Sequence, residues 1–237
     1  MMTADRLYIP ANTKAILWDM DGVLLDTLGL DMTIFNELLH QYFGNHVNLT
    51  KEFIRSVFAY HSPESWKLIF EFIKNEYNIS GTENDYNQIL KTYDQARNNH
   101  IFEINPGIIE ILESAMKTPL KLAVVSNNLT ADVKTILSKS GIPMDVFDLI
   151  VGNDIKDLKK KPAPDTYLFA TEILKVNPGQ CVVVEDSLEG AEAGKQAGCF
   201  TVGVATGGTD FKSLEKSQFT DRVYSSFHLT RLSIQEK

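Results

Sequence analysis

Apolar and polar positions along the chain fall into two patterns. Short apolar runs recur at Ala15–Trp18, Leu120–Val125, Leu149–Val151, Cys181–Val184 and Phe200–Val204, each closed by polar residues or glycine. Runs this short, rich in valine and isoleucine and without polar alternation, predict strands buried on both faces. Segments of helical spacing lie between them. Ala131–Ser140 follows Thr130, a candidate N-cap, and stops at Gly141. Pro164–Lys175 sets Tyr167, Leu168, Ala170, Ile173 and Leu174 at roughly helical intervals, and Leu188–Ala197 closes on Gly198. Strands alternating with helices predict an α/β fold, a doubly wound parallel sheet covered on both sides.

One region has only the second pattern. Leu30, Ile34, Leu38 and Leu39 read as one helix face, and Phe53, Ile54, Val57 and Phe58 as a second. Trp66, Ile69, Phe70 and Ile73 give a third, and Tyr86, Ile89, Leu90 and Tyr93 a fourth. Spacings of three and four mark amphipathic helices. The expected organisation is therefore a sheet domain, residues 1–27 and 104–237, with a helical block, residues 28–103, inserted after the first strand. Asn105-Pro106-Gly107 marks the return to the sheet.

Composition narrows the partners. The 237 residues suffice for one good core and a second small one, and 43% hydrophobic with 23% charged residues is ordinary for a soluble globular protein. A formal net charge of -8 argues against a nonspecific nucleic-acid or anionic-membrane binder. It leaves room for a phosphorylated substrate, because local cations can outweigh the global charge. Cys181 and Cys199 fall in apolar runs, outside any CxxC pair, and are expected to be buried thiols. The start, MMTADRLYIPANTK, lacks the apolar stretch of a signal peptide, and no run approaches the ~20 residues of a membrane span. The expectation is a cytoplasmic protein, monomeric or a small homo-oligomer.

Four sites carry candidate chemistry, and each has a plainer reading. Asp19 and Asp21 follow the first strand, with Gly22 allowing a sharp turn. They are either turn and solvated residues or a nucleophile and a cation ligand beyond a strand's carboxyl end. Ser126 and Asn127 follow another strand, as a cap or as donors to phosphate oxygens. Lys161, in KKKPAPD, is either part of a solvated lysine run or a cation set just before a helix that Pro164 opens. Glu185 and Asp186 end a third strand, where Asp186 or Ser187 caps a helix or both acids complete an oxygen-donor Mg²⁺ site. A nucleophile, a phosphate-binding hydroxyl, a cation and a metal cradle on one sheet edge suit phosphoryl transfer, where positioning and charge stabilisation dominate.

The order and spacing of these elements resemble those of the haloacid dehalogenase superfamily. DMDGVLLDT looks like its first motif, Ser126 its second, Lys161 in KKPAPD its third and VVVEDSLEGAEAGKQAG its fourth. The similarity runs from Asp19 to about Phe227, and the helical insert looks like the family's type-one cap on a Rossmann-like core. The resemblance implies that Asp19 forms an aspartyl-phosphate and that Asp21 serves as general acid and then base, its backbone carbonyl touching Mg²⁺. It gives Ser126 and Asn127 to the phosphoryl group, Lys161 to charge neutralisation, and Asp186 with Glu185 to the metal. Thr27 resembles a supporting position near the site, and Tyr60 and His61 are candidate substrate contacts in the cap.

Within the superfamily Asp21 points away from haloacid dehalogenases proper, which use neither this aspartate nor a metal. Neither feature expected of phosphonoacetaldehyde hydrolases, a replaced second acid and a cap lysine, is clearly met. Mutases of the β-phosphoglucomutase type carry a histidine where this chain has Asp31, and two cap cations that are missing around Phe58–Glu64. The expected function is a Mg²⁺-dependent phosphatase of the phosphoglycolate phosphatase kind acting on a small phosphorylated metabolite. A sugar-phosphate mutase and a non-enzymatic phosphate-binding regulator are the alternatives.

Overall fold

A computed structural model describes residues 6–58, 62–225 and 231–235. The chain divides into two compact units, Met1–Asp26 with Phe102–Lys237, and Thr27–Ile101. In chain order the strands are β1 (Arg6–Pro10), β2 (Ala15–Trp18), β3 (Lys121–Val125), β4 (Leu149–Val151), β5 (Cys181–Glu185), β6 (Phe200–Val204), β7 (Arg222–Tyr224) and β8 (Arg231–Gln235). The helices are α1 (Thr27–Phe43), α2 (Lys51–Phe58), α3 (Ser62–Tyr77), α4 (Glu83–Asn99), α5 (Ile108–Met116), α6 (Thr130–Ser140), α7 (Asp165–Leu174), α8 (Leu188–Gln196) and α9 (Phe211–Lys216).

The first unit is built on a six-stranded, all-parallel sheet in the order β4-β3-β2-β5-β6-β7. All four residues of β2 are buried, which is why its run has no polar alternation. One face of the sheet, with Ala15, Leu17, Ala123, Val125 and Val183, packs on Tyr167, Ala170 and Leu174 of α7 and Ala193 of α8. Ile16, Trp18, Leu122, Val124 and Val182 point the other way and are buried as well. The strand order reverses at β2: the chain builds outward through β3 and β4, then crosses back to β5 on the other side. Such a reversal opens a crevice at the carboxyl ends of the central strands.

Three strands escape the apolar-run signal. β1 and β8 pair in parallel as a separate two-stranded ribbon, and β7 is a short edge strand with half-buried residues. In β1 only Leu7 and Ile9 are buried, so its pattern alternates instead of running unbroken. The N-cap of α6 is also corrected. Leu129 occupies the cap position, and Thr130 is the first helical residue. The capping acceptor comes from outside the helix: Asp154 Oδ1 accepts the Thr130 N–H at 2.9 Å.

The second unit contains α1 to α4. Phe35, Leu38, Leu39, Ile54, Val57, Trp66, Ile69, Phe70, Ile73, Ile89 and Tyr93 meet in its core. Phe35 stacks on Tyr93 at 4.8 Å between ring centres and meets the edge of Trp66 at 5.0 Å. Asp31 is buried beside them. It accepts from Tyr93 Oη at 2.8 Å and lies 3.4 Å from Arg97 Nε. Trp66 is 1% exposed, so Trp66→Ala is expected to cost about 3–5 kcal/mol. Urea denaturation followed by far-UV circular dichroism checks this.

Candidate active site

The turn after β2 is fixed from several sides. Asp19 N–H continues the ladder to the Val184 carbonyl at 3.0 Å, so Asp19 is placed by the same register that pairs Trp18 with Val184. The chain then reverses at Gly22, whose φ of +77° is the left-handed region that favours glycine. A Cβ at Gly22 would overlap the Asp186 carboxylate and come within 2.9 Å of Gly207 Cα. Asn105 is buried and donates its side-chain amide to the Gly22 and Val23 carbonyls at 3.1 and 2.9 Å. The residue that marks the return to the sheet therefore also braces the turn carrying Asp21.

After β3, Ser126 is buried and its N–H donates to the Val151 carbonyl at 3.0 Å. Ser126 Oγ accepts the Asn128 N–H at 3.1 Å. The Asn127 side chain accepts the Lys161 N–H at 3.2 Å on Oδ1. Asn128 Nδ2 donates to Asp21 Oδ2 at 2.6 Å. Lys161 leaves the exposed lysine run and is buried: its Nζ lies 2.6 Å from Asp19 Oδ1, 2.6 Å from Glu185 Oε1 and 2.8 Å from the Val125 carbonyl. The ammonium also sits 4.8 Å from the centre of the Tyr167 ring.

At the end of β5 the two acids are held differently. Glu185 Oε1 accepts from Lys161 and from Tyr167 Oη at 2.7 Å, and Oε2 accepts from Asp186 N–H and Ser187 Oγ, both at 3.2 Å. Its carboxylate lies over the start of α8, where a Cβ at Gly190 would overlap it. Ser187 supplies the N-cap of α8, accepting the Gly190 N–H at 3.1 Å. Asp186 is instead held by the Gly208 N–H at 2.6 Å on Oδ2.

Charge does not balance in this cluster. One oxygen from each of Asp19, Glu185 and Asp186 can be chosen so that all lie within 4.8 Å of one another, all three residues are buried, and among the described residues Lys161 is the one ammonium bonded to them, through Asp19 and Glu185. Burial, then the Glu185 charge, pushes Asp19 well above the usual carboxylate range, although Lys161 pulls the other way. The same two causes push Asp186 up to about 8, against the Gly208 N–H. Burial opposes the Lys161 ammonium, but Asp19 and Glu185 outweigh it and raise its pKa. Burial and Glu185 also raise Tyr167, keeping its hydroxyl a donor. Three buried carboxylates against one cation form a set of hard oxygen donors with surplus negative charge, which fits a divalent ion such as Mg²⁺. Asp19 and Asp186 have the fewer hydrogen bonds to lose on binding one; Glu185 is engaged at both oxygens.

The structure thus brings Asp19, Lys161, Glu185 and Asp186 into one cluster, and joins Asp21 to the Ser126 loop through Asn128. Thr27 begins the second unit; it is buried, and its hydroxyl finds no partner among the described residues. Tyr60 and His61 lie outside the described residues. Tyr167, Asn128 and Asn105 are additions. Tyr167 stands at helical apolar spacing, and its polar tip becomes meaningful only once α7 faces Glu185.

Comparison with known proteins decides the family. The model of the haloacid dehalogenase-like hydrolases matches residues 16–204. The chain belongs to the haloacid dehalogenase-like hydrolases. It is 27% identical over 186 residues to a phosphorylated carbohydrates phosphatase of Thermotoga maritima, covering 78% of this chain and 82% of the relative. It is 26% identical to a phosphoglycolate phosphatase of Nitrosospira multiformis, over 96% of this chain and all of the relative. The crystal structure of a haloacid dehalogenase-family hydrolase from Deinococcus radiodurans, with bound phosphate and sodium, shares the fold at a TM-score of 0.77 and 22% identity, covering 92% of this chain and 93% of that one. CbbY from Rhodobacter sphaeroides, in complex with xylulose 1,5-bisphosphate, matches at a TM-score of 0.66 and 25% identity, covering 91% and 95%. Among the described residues this hydrolase has no helix long and apolar enough to cross a membrane.

The raised carboxylates give a pH prediction. A carboxyl whose pKa rises on folding stabilises the fold fully below its unfolded value of about 4, and that contribution is lost as pH climbs through the folded value. For Asp186 the window ends at about 8. In buffer with a chelator, the urea midpoint is expected to fall between about pH 5 and about pH 9. Asp186→Asn should make the fall shallower, and added Mg²⁺ should reverse it in the wild type.

Proposed function

We propose that this hydrolase is a Mg²⁺-dependent phosphatase acting on a small phosphate monoester through an aspartyl-phosphate. The observation that carries the reading is the buried Lys161 ammonium, 2.6 Å from Asp19 and from Glu185, beside a third buried carboxylate. It leaves Asp19 oriented by one oxygen at the edge of the crevice. Asp19 attacks phosphorus, the bond to the leaving oxygen breaks, and Asp21 gives that oxygen a proton. Asp21 then takes a proton from the water that attacks phosphorus, the Asp19–phosphorus bond breaks, and phosphate leaves with Asp19 restored. Ser126 Oγ and the Asn127 N–H are assigned to phosphoryl oxygens, and Lys161 to the charge between them and Asp19. Asp19, Asp186 and the Asp21 carbonyl would hold the metal, with Glu185 reaching it directly or through water. Bound there, Mg²⁺ would neutralise charge on the phosphoryl oxygens.

The names of the relatives support phosphorylated carbohydrates and phosphoglycolate as the substrate class. β-Phosphoglucomutases of Mycobacterium are also similar, at 28% identity over 223 residues. Asp31 weighs against that reaction here, because it stands in place of the mutase histidine and is bound to Tyr93 and Arg97 in the helical core.

Phosphate release from p-nitrophenyl phosphate and from a panel of small phosphate esters tests the proposal. Asp19→Asn is expected to lower kcat by about a thousandfold or more, and a chelator to abolish turnover until Mg²⁺ is returned. Metal-independent release that survives Asp19→Asn would sink it. Interconversion of hexose phosphates without phosphate release would establish the mutase instead.

A further inference from the structure

We propose that Asn128 is a positioning residue for proton transfer by Asp21, joining that acid to the phosphate-binding loop. The inference rests on the phosphatase reading above. Asn128 Nδ2 donates to Asp21 Oδ2 at 2.6 Å, across 107 residues of sequence. A bond from an amide to a carboxylate at that distance is short and charge-assisted.

The amide comes from a loop that is itself fixed. The Asn128 N–H donates to Ser126 Oγ at 3.1 Å, and the Asn128 carbonyl accepts the Asn153 N–H at 2.9 Å. Its neighbour Asn127 is bound through its carbonyl by the Asn153 side chain and through its own side chain by the Lys161 N–H. One asparagine therefore contacts both the hydroxyl assigned to phosphate and the carboxyl assigned to the proton. A carboxyl restrained in this way has lost rotational freedom before substrate arrives, and positioning of this kind lowers the barrier to proton transfer. The amide N–H is a donor only, so it can bond the carboxylate and the carbonyl oxygen of the protonated acid alike. It restrains Asp21 in both halves of the reaction.

Leaving groups that differ in their need for a proton separate positioning from a merely structural role. p-Nitrophenolate departs without being protonated, whereas an alkoxide does not. kcat/KM reports the steps up to that departure. The measurement is the ratio of kcat/KM for an alkyl phosphate to that for p-nitrophenyl phosphate. The alkyl ester is whichever of phosphoglycolate, glycerol phosphate and mannose phosphate the wild type turns over fastest. Two variants are compared: Asn128→Ala removes the amide, and Asn128→Asp keeps its size but sets a carboxylate against Asp21. The ratio is expected to fall about tenfold in both, and any fall beyond about threefold supports the proposal. Parallel losses on both substrates, with the ratio changed by less, overturn it. Failure of both variants to fold, read by circular dichroism, also overturns it, because a positioning amide is not needed for folding. A wild type without Asp19-dependent turnover of any ester sinks the phosphatase reading itself, and this inference with it.

Discussion

Three buried carboxylates drawn around one buried ammonium set the terms for the rest of the first unit. Asp19, Glu185 and Asp186 repel one another where little water reaches, and removing the ammonium that offsets such a group generally costs several kcal/mol. The surrounding structure reads as a set of devices that keep the arrangement in place. Tyr167, Ser187 and the Asp186 N–H satisfy Glu185. Gly208 holds Asp186, and Gly22 makes room for it. The Val125 carbonyl takes a third bond from Lys161. Perturbed carboxylates held this closely are the kind that cluster at functional sites.

The parallel sheet makes this crowding feasible. Every central strand ends on the same edge, so residues from β2, β3 and β5, far apart in sequence, are delivered side by side by backbone pairing alone. Lys161 comes from the connection after β4, and α7 begins four residues later. Its first turn carries Tyr167, which packs under the sheet while its hydroxyl reaches Glu185. Packing and polar satisfaction are thus done by one side chain, which is why a tyrosine fits where a leucine would leave a buried carboxylate short of a donor.

The sequence makes the central strands legible because burial on both faces writes apolar runs, and β4 is legible from its apolar run although, contrary to expectation, Leu149 and Ile150 are only half-buried at the sheet edge. It hides β1, whose alternation needs a partner strand from the other end of the chain before it means anything, and β7, half covered like β4 but opening on Arg222. The clustered residues follow the same logic. Asp19, Ser126, Glu185 and Asp186 stand directly after apolar runs, so their shared edge can be inferred. Asn128 and Asn105 stand in turns, where asparagine is common for reasons of its own, and only the folded loops give their amides a target. Asp154, which serves the helix that Thr130 was expected to cap, lies 24 residues further along and carries no local signal.

The ladder on both sides of β2 has a consequence for how this chain can change. Ala15 to Trp18 are locked in register with β3 and with β5, and Asp19 extends the second ladder by one more bond. Side chains in a strand alternate sides, so losing one residue in this stretch would set Met20 where Asp19 stands and Asp21 where the buried Met20 stands. A sulfur-bearing apolar chain would then face the ammonium, and an acid would enter the core. Changes of length are thus barred within these few residues, while the connection from Lys156 to Lys160, largely exposed and outside any ladder, is where this fold can absorb them.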